Sequence, residues 1–523
     1  MPFFRRFGSS PGGWSAWLFL LLLVLLGAVY AWPGLGGSDD FWTHAAVGRW
    51  IWQNRQVPDH TLFLWTPAIV WIDHEWLSQV AFFGLLSAGG DLGPTLVRYL
   101  VVVLVLVPFG LLWFLWKGRV TSLMPVLFVL GIHGSSGRFE ARPEAFSAVF
   151  LAGLLTFLVS WSPPSSPPET GRPAFRDQLA SWLWLPLFVV WANCHGLVFL
   201  GVALLAATAA CDLVQDRFDA RSRRLALVAL LAAAAVFLNP YGFHYWQALA
   251  LIRGTTLQHI KEWAPLWVEP ATELDMVLPT GLLWFLAVLA WARTPRRRGS
   301  HLAWLLLLAA SLLRARRFLW LTNLVSLAVL AANAHALDPE QLWQLLWRRH
   351  RQEDSRAVEP PPIPPSWRRW ARVAVLGWLG IYLAVMAGGL RQNPAKDPAV
   401  PDQIARAVQE HRPPGQMFND YEHSGYFEWC YGGHPPLYID LLNAYPDEVF
   451  QDYLEIVNLT PRGLKLLDRG EIGYVVLITQ GRGLSMQPLG DYLDRNPHWQ
   501  HVYGTREGSV WVRRTPGSDE THE

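Results

Sequence analysis

Apolar stretches of membrane-spanning length recur along most of this chain, separated by short polar connections. A spanning helix needs roughly 17–25 mostly apolar residues. Such runs lie near 14–32, 94–116, 120–134, 143–161, 180–194, 196–212, 224–239, 276–292, 301–313, 317–337 and 370–390. The segment 74–90 opens with Asp73-His74-Glu75-Trp76 and reads as an amphipathic helix lying on the membrane. From Pro394 the pattern changes. Strand-like runs at 437–439, 474–478 and 509–512 alternate with helical patterns at 448–456, 462–469 and 489–495, as in a compact α/β domain. The pattern therefore predicts a polytopic α-helical membrane protein of about eleven spans. Residues 1–390 form its transmembrane domain, with a first external loop over 33–93, and 391–523 form a small external α/β domain.

Composition sharpens this picture. The chain has 523 residues, 52% of them hydrophobic, with 30 Trp and only 16% charged. An average chain carries roughly 25% charged residues, so membrane segments with soluble parts attached fit best. A net charge of +2 gives no reason to expect nucleic acid. Cys194, Cys211 and Cys430 lie far apart and offer neither a disulfide framework nor a zinc site. The run 14–32 follows Arg5 and Arg6, and Ala28 and Ala31 would suit cleavage, but the many later spans favour a retained first helix.

Basic residues set the orientation. Lys117 and Arg119, Arg172 and Arg176, Arg217 to Arg224, Arg293 to Arg298, and Arg348 to Arg369 fall in every second connection. A cytoplasmic N-terminus places all of these inside. The C-terminal domain is then outside, which in a bacterial inner membrane means periplasmic. The loops Ser162 to Pro168 and Pro360 to Pro365 read as extended connectors.

With that orientation, unusual polar residues gather on the external side. Asp39, Asp40 and His44 follow the first span, with Phe41 and Trp42 pulling the segment back to the bilayer. Carboxylates held at the water–lipid border could take a proton from a polar acceptor; a plain polar loop is the alternative. Asp73, His74 and Glu75 lie in the same loop, Asn193 and His195 at a later turn, and Lys261-Glu262-Trp263 further on. Arg138, Arg142, Arg316 and Arg317 run against the positive-inside bias, so each needs a counter-charge or an anionic ligand such as a lipid phosphate. Glu140 and Glu144 could instead make internal ion pairs with Arg138 and Arg142. His195 could cap a tight hairpin in which Gly196 permits the turn. Asn239-Pro240-Tyr241-Gly242 is a turn signal first. Asp40 and His44 stand four apart, on one helix face, which suits a hydrogen-bonded base or a divalent cation. Two carboxylates and a histidine are too few to name a metal.

In the C-terminal domain, Phe418-Asn419-Asp420-Tyr421, Gly425-Tyr426-Phe427 and Ile439-Asp440 could shape an acceptor-binding edge or serve as turn and core residues. Asn458-Leu459-Thr460 matches a glycosylation sequon.

Taken together, Asp39-Asp40-Phe41-Trp42-Thr43-His44 and Trp71-Ile72-Asp73-His74-Glu75-Trp76-Leu77 resemble the first external loop of the GT-C superfamily of integral-membrane glycosyltransferases. More narrowly, the chain resembles bacterial membrane proteins with a mannosyltransferase-like core; Trp191 to Gly196, Asn239 to Gly242 and Asn419-Asp420-Tyr421 also fit that group. The resemblance implies a polyprenyl-phosphate sugar as donor and a lipid, glycan or protein acceptor on the external face. It also implies an acidic first-loop residue as base, here Asp40 or Asp39. The donor phosphate would fall to Arg138, Arg142, Arg316 and Arg317, and substrate contacts to His44, His74, Glu75, Asn193 and His195. No cofactor is firmly implied, a divalent cation being the one candidate. The rival class is a transporter or flippase for a lipid or small solute. That function predicts mid-span charges and related halves, and the sequence offers few of the first and no internal repeat. A scaffold presenting the C-terminal domain would leave the external arginines without a role.

Overall fold

The structure, a computed structural model, describes residues 40–67, 69–116, 124–161, 175–247, 261–266, 274–337, short pieces between 343 and 384, 400–479 and 486–514. Asp39, the span expected at 14–32 and most of that at 370–390 lie outside the described residues.

Every span expected between 94 and 337 coincides with a helix. After α1 (Asp40–Asn54) come α2 (Trp76–Gly89), α3 (Gly93–Leu115), α4 (Met124–His133) and α5 (Glu144–Trp161). They are followed by α6 (Phe175–Cys194), α7 (Val198–Gln215), α8 (Ala220–Ala235), α9 (Leu274–Arg293), α10 (Gly299–Arg314) and α11 (Leu319–Ala332). Among the described residues, four segments are long and apolar enough to cross a membrane: Trp76–Leu115, Glu144–Trp161, Val198–Gln215 and Leu274–Arg293. The helix expected to lie on the membrane at 74–90 is the first half of the first of these. Its polar residues Ser78 and Gln79 are buried, the reverse of a surface helix with a water-facing polar side.

Helix α11 is buried on every side from Leu319 to Ala331, as expected of a helix apolar all round. It packs against α3, α4, α5, α9 and α10 and forms the axis of the bundle. The basic turns collect at one end, where Arg298 bridges Asp212 (3.4 Å) and Asp216 (2.9 Å). The polar turns 134–144, 195–197 and 315–318 lie at the opposite ends of the same helices.

The C-terminal part builds α12 (Asp402–His411), β1 (Gln416–Asn419), α13 (Ser424–Tyr431), α14 (Asp447–Val457), α15 (Pro461–Asp468), β2 (Ile472–Ile478), α16 (Gln487–Arg495), β3 (Trp499–Gly504) and β4 (Gly508–Arg513). The sheet order is β1-β2-β4-β3, parallel between β1 and β2 and antiparallel elsewhere. The run 437–439 is not one of its strands. Leu437 instead bridges Leu64 of the first loop, with Leu437 N–H donating to Phe63 O (2.7 Å) and Trp65 N–H to Leu437 O (3.0 Å). Thr66 Oγ1 donates to Tyr438 O (2.8 Å) and Trp65 Nε1 to Met417 O (2.8 Å). A shared apolar core of Ala46, Val47, Ile51, Phe63, Trp71 and Ala444 seals the junction. The first loop and the C-terminal domain are thus one packed unit.

The α1–α2 crossing depends on Gly48, where an added Cβ would lie 2.1 Å from the Gln79 carbonyl oxygen. Substitution Gly48→Val forces these backbones apart. It should cost about 1–3 kcal/mol or more, the range for overpacking, as a lowered unfolding midpoint in detergent. Gly84→Ala, in open space, is the control. An unchanged midpoint in Gly48→Val would show that the crossing is not what holds α1.

Candidate functional site

Four short segments meet at the polar end of the bundle: the start of α1, the turn before α5, the 3-10 turn Lys261–Trp263 and the 3-10 turn Arg316–Phe318. Helix α5 places Glu144 in its first turn, where a carboxylate is stabilised by the helix N-terminus. Around it the charges interlock. Arg142 bonds Asp40 Oδ2 (3.1 Å), Glu140 Oε2 (2.9 Å) and Glu262 Oε2 (3.0 Å). Arg138 pairs with both Glu144 and Glu262. Arg317 bonds Glu144 Oε2 (2.9 Å), reaches Glu262 Oε1 (3.7 Å), and lies over the Trp263 ring at 4.2 Å. Three guanidinium groups thus face four carboxyl groups. Burial pushes the Glu262 carboxyl up, but Arg138, Arg142 and Arg317 outweigh burial and hold it well below the ordinary range. At Glu140 burial wins over Arg142 and Arg138, so its carboxyl titrates above the usual value.

Beside this network stands a second constellation around Glu75, just before α2. Its Oε1 lies 3.1 Å from His195 Nε2 and 3.4 Å from His74 Nε2, and its Oε2 lies 3.6 Å from His44 Nδ1. Burial raises the Glu75 carboxyl, but the three imidazoles outweigh it and the group stays well below its ordinary value. The ring nitrogens do different work. His195 Nδ1 accepts the Leu197 N–H (3.1 Å) and lies 3.1 Å from Ser147 Oγ, so its proton sits on Nε2 and is donated to Glu75. His74 Nδ1 lies 3.3 Å from Ile72 O and is the donor there, which leaves Nε2 turned to Glu75.

His74, Glu75 and His195 have the mutual spacing of metal ligands, all within 4.8 Å. The donor set fits a metal poorly, because a ligating His195 Nε2 would put its proton on Nδ1, against the Leu197 N–H. Asp40 and His44 do not converge on a cation either. One turn of helix separates them, and Asp40 goes to Arg142 while His44 goes to Glu75.

Other expected site residues are engaged elsewhere. Asn193 Oδ1 accepts from Trp76 Nε1 (2.8 Å), and its amide donates to Val189 O (2.7 Å) and Leu238 O (3.1 Å), tying α6 to α2 and to the turn after α8. Arg316 is buried, its N–H bonded to Ala264 O (3.1 Å), so it anchors the 261–266 segment to α11. Gly196 is needed less for a turn than for closeness, since a Cβ there would meet His74 Cδ2 at 2.9 Å. Tyr241 holds the first loop: its hydroxyl accepts from Asp73 N–H (2.9 Å) and donates to Pro58 O (2.5 Å). Asn419 is a buried peg whose Oδ1 accepts from Tyr438 N–H (2.8 Å) and whose amide donates to Ile439 O (3.0 Å). Thr460 of the sequon caps α15 through Gly463 N–H (3.1 Å). Glu262 is the central residue that sequence reasoning left unassigned; its only signal was an acid beside a tryptophan in an external turn.

A small apolar pocket between α3, α5 and α11 lies against this network, lined by Leu104, Pro108, Phe109, Ala148, Trp320 and Leu324 and by Arg138 and Glu144.

No family model and no curated protein matches the chain. Solved structures do. The chain is similar to ArnT from Cupriavidus metallidurans bound to undecaprenyl phosphate (16% identity, TM-score 0.54), with 96% of this chain and 98% of that one covered. It is also similar to the archaeal oligosaccharyltransferase AglB from Archaeoglobus fulgidus in complex with an inhibitory peptide and a dolichol-phosphate (10% identity, TM-score 0.60). That match covers 98% of this chain and 75% of AglB. Since the likeness runs through both the helical bundle and the C-terminal sheet, the chain has the fold of the GT-C membrane glycosyltransferases.

Proposed function

We propose that this protein is a membrane glycosyltransferase that moves a sugar from a polyprenyl-phosphate donor to an acceptor on the external face. The observation that carries this reading is Asp40 paired with Arg142 in a network of three arginines, one of which, Arg138, lines an apolar pocket. The pocket offers apolar contact beside the network, and the guanidinium forks of Arg142, Arg138 and Arg317 suit the phosphate of a prenyl lipid. ArnT in complex with undecaprenyl phosphate and AglB with a dolichol-phosphate lend weight to that lipid class.

In this reaction the acceptor oxygen attacks the anomeric carbon and its proton passes to Asp40. The bond to the lipid phosphate breaks, and the arginines counter the charge left on the phosphate. The network must first rearrange. Its arginines are already paired, so the donor phosphate competes with Asp40 and Glu140 for Arg142. Each exchange releases a carboxylate, and releasing Asp40 supplies the base only when donor is bound. Glu75, with His195 donating to it, lies beside the site as a polar wall for sugar or acceptor hydroxyls. The basic turns at the far end of the bundle, read by the positive-inside rule, support an external site.

Two measurements test this. Asp40→Asn keeps the shape but removes the base, so transfer from a polyprenyl-phosphate sugar should fall roughly 10²-fold or more with unchanged abundance. Full activity in that variant would end the assignment. Glu140→Gln removes one competitor for Arg142, so the protein should bind the lipid phosphate several-fold tighter at neutral pH. Arg317→Ala should weaken donor binding by about 1.5–3 kcal/mol. Weaker binding in Glu140→Gln, or a lower unfolding midpoint with unaltered affinity in Arg317→Ala, would show a purely structural network.

A further inference from the structure

The junction between α1 and the C-terminal domain buries a second group of acids that the transferase reading does not use. Glu428 on α13 is 1% exposed, and neither of its carboxylate oxygens has a hydrogen-bond partner among the described residues. Asp440 is fully buried; one oxygen accepts the Leu442 N–H (3.0 Å) and the other has no such partner. Glu428 lies near enough to Asp440 and Asp40 to feel both charges. From across the junction α1 turns Thr43 toward Glu428, its hydroxyl 1% exposed and without a well-formed hydrogen bond. The Ser424 hydroxyl, one helical turn before Glu428, is likewise unpartnered among the described residues.

The nearby cations are turned elsewhere. Arg49 of α1 donates to the backbone carbonyls of Trp429 (2.7 Å) and Glu428 (3.5 Å) and lies over the Trp429 ring at 4.5 Å. Arg142 is held by Asp40, Glu140 and Glu262. Two carboxyl groups are therefore buried with no ion-pair partner among the described residues, an arrangement that calls for protons or a bound ion. A proton on each acid would neutralise both but leave their idle oxygens without a partner. A divalent cation neutralises both and gives the idle oxygens a ligand. The donors are all oxygen, from carboxylates and hydroxyls, which selects hard ions over zinc or copper.

We propose that Glu428, Asp440 and Thr43 form a buried oxygen-lined site for a divalent cation of the calcium or magnesium class, bridging the C-terminal domain to α1. Bound there, the ion fixes the helix whose first residue is Asp40.

Terbium, which replaces calcium and is sensitised by tryptophan, is the probe. Trp42 and Trp429 flank the site, their rings 5.8 Å apart. Full-length protein in detergent, stripped with a chelator, should give tryptophan-excited terbium luminescence that calcium displaces. Calcium alone should raise its unfolding midpoint. The double variant Glu428→Gln/Asp440→Asn should bind terbium at least tenfold more weakly and lose the calcium-induced shift. Thr43→Val should weaken binding several-fold and decides the matter should the double variant not fold. Terbium binding by the double variant equal to that of the unsubstituted protein would overturn the proposal. So would a calcium-insensitive midpoint in the unsubstituted protein, which would leave the two acids as a proton-sharing pair. No sugar transfer is measured, so the outcome is independent of the catalytic reading.

Discussion

The contacts of Glu262 hold the polar end of this protein together. Its carboxylate bonds to Arg138 and Arg142 from the turn before α5 and reaches Arg317 from the turn before α11. Those arginines in turn hold Glu144 and Asp40. Buried ion pairs add little net stability over apolar packing, while removing one partner is costly because the other is left uncompensated. Such a network persists where charge itself is required. On the proposed reading, a departing phosphate is countered by cations preorganised in a dry place, and the carboxylates keep the three arginines in that arrangement.

The Glu75 cluster follows the same logic at smaller scale. A carboxylate next to three imidazoles could be read as a metal site, but the hydrogen bonds behind His195 and His74 fix the roles of their Nδ1 atoms. The Leu197 N–H fixes His195 as a donor to Glu75. Burial, opposed by the Glu75 charge, lowers the proton affinity of His44 and of His74 below the ordinary imidazole value. With His195 donating to it, the Glu75 carboxylate is placed to accept hydroxyl hydrogen bonds.

Much of the fold was legible in the sequence because lipid imposes a long, nearly uninterrupted apolar pattern on every spanning helix. The strands were less so. β3 is an edge strand whose exposed residues Gln500, His501 and Val502 break the apolar run, and β1 is only Gln416–Asn419. The arginines at the site were legible as cations against the insertion bias, but their partners were not. Sequence neighbours suggested Arg138 with Glu140 and Arg142 with Glu144. The chain turns between them, so Arg138 meets Glu144 and Arg142 meets Glu140. Glu262, 120 residues beyond Arg142, comes into range only through folding. Asn193 and Asn419 look like site residues in sequence for a physical reason: a buried amide that ties two segments is as polar and as isolated as one that binds a ligand.

One turn of α1 joins three polar environments. Asp40 enters the arginine network, Thr43 faces the buried acids of the C-terminal domain, and His44 reaches Glu75. Residues three and four apart on a helix share a side, yet here each meets a different element, because α1 is wedged among α2, the turn before α5 and α13. Phe41 and Trp42 set that wedge, packing edge-on against Phe82 and Tyr426 respectively. A rotation of α1 large enough to move Asp40 from Arg142 would also drag Thr43 and His44 from their own neighbours. Exchange of the Asp40–Arg142 pair must therefore come from the arginine side, by reorientation of a long side chain on a turn. On the proposed transferase reading, the carboxylate assigned as base stays fixed while its counter-ion moves, which is the geometry acceptor activation needs.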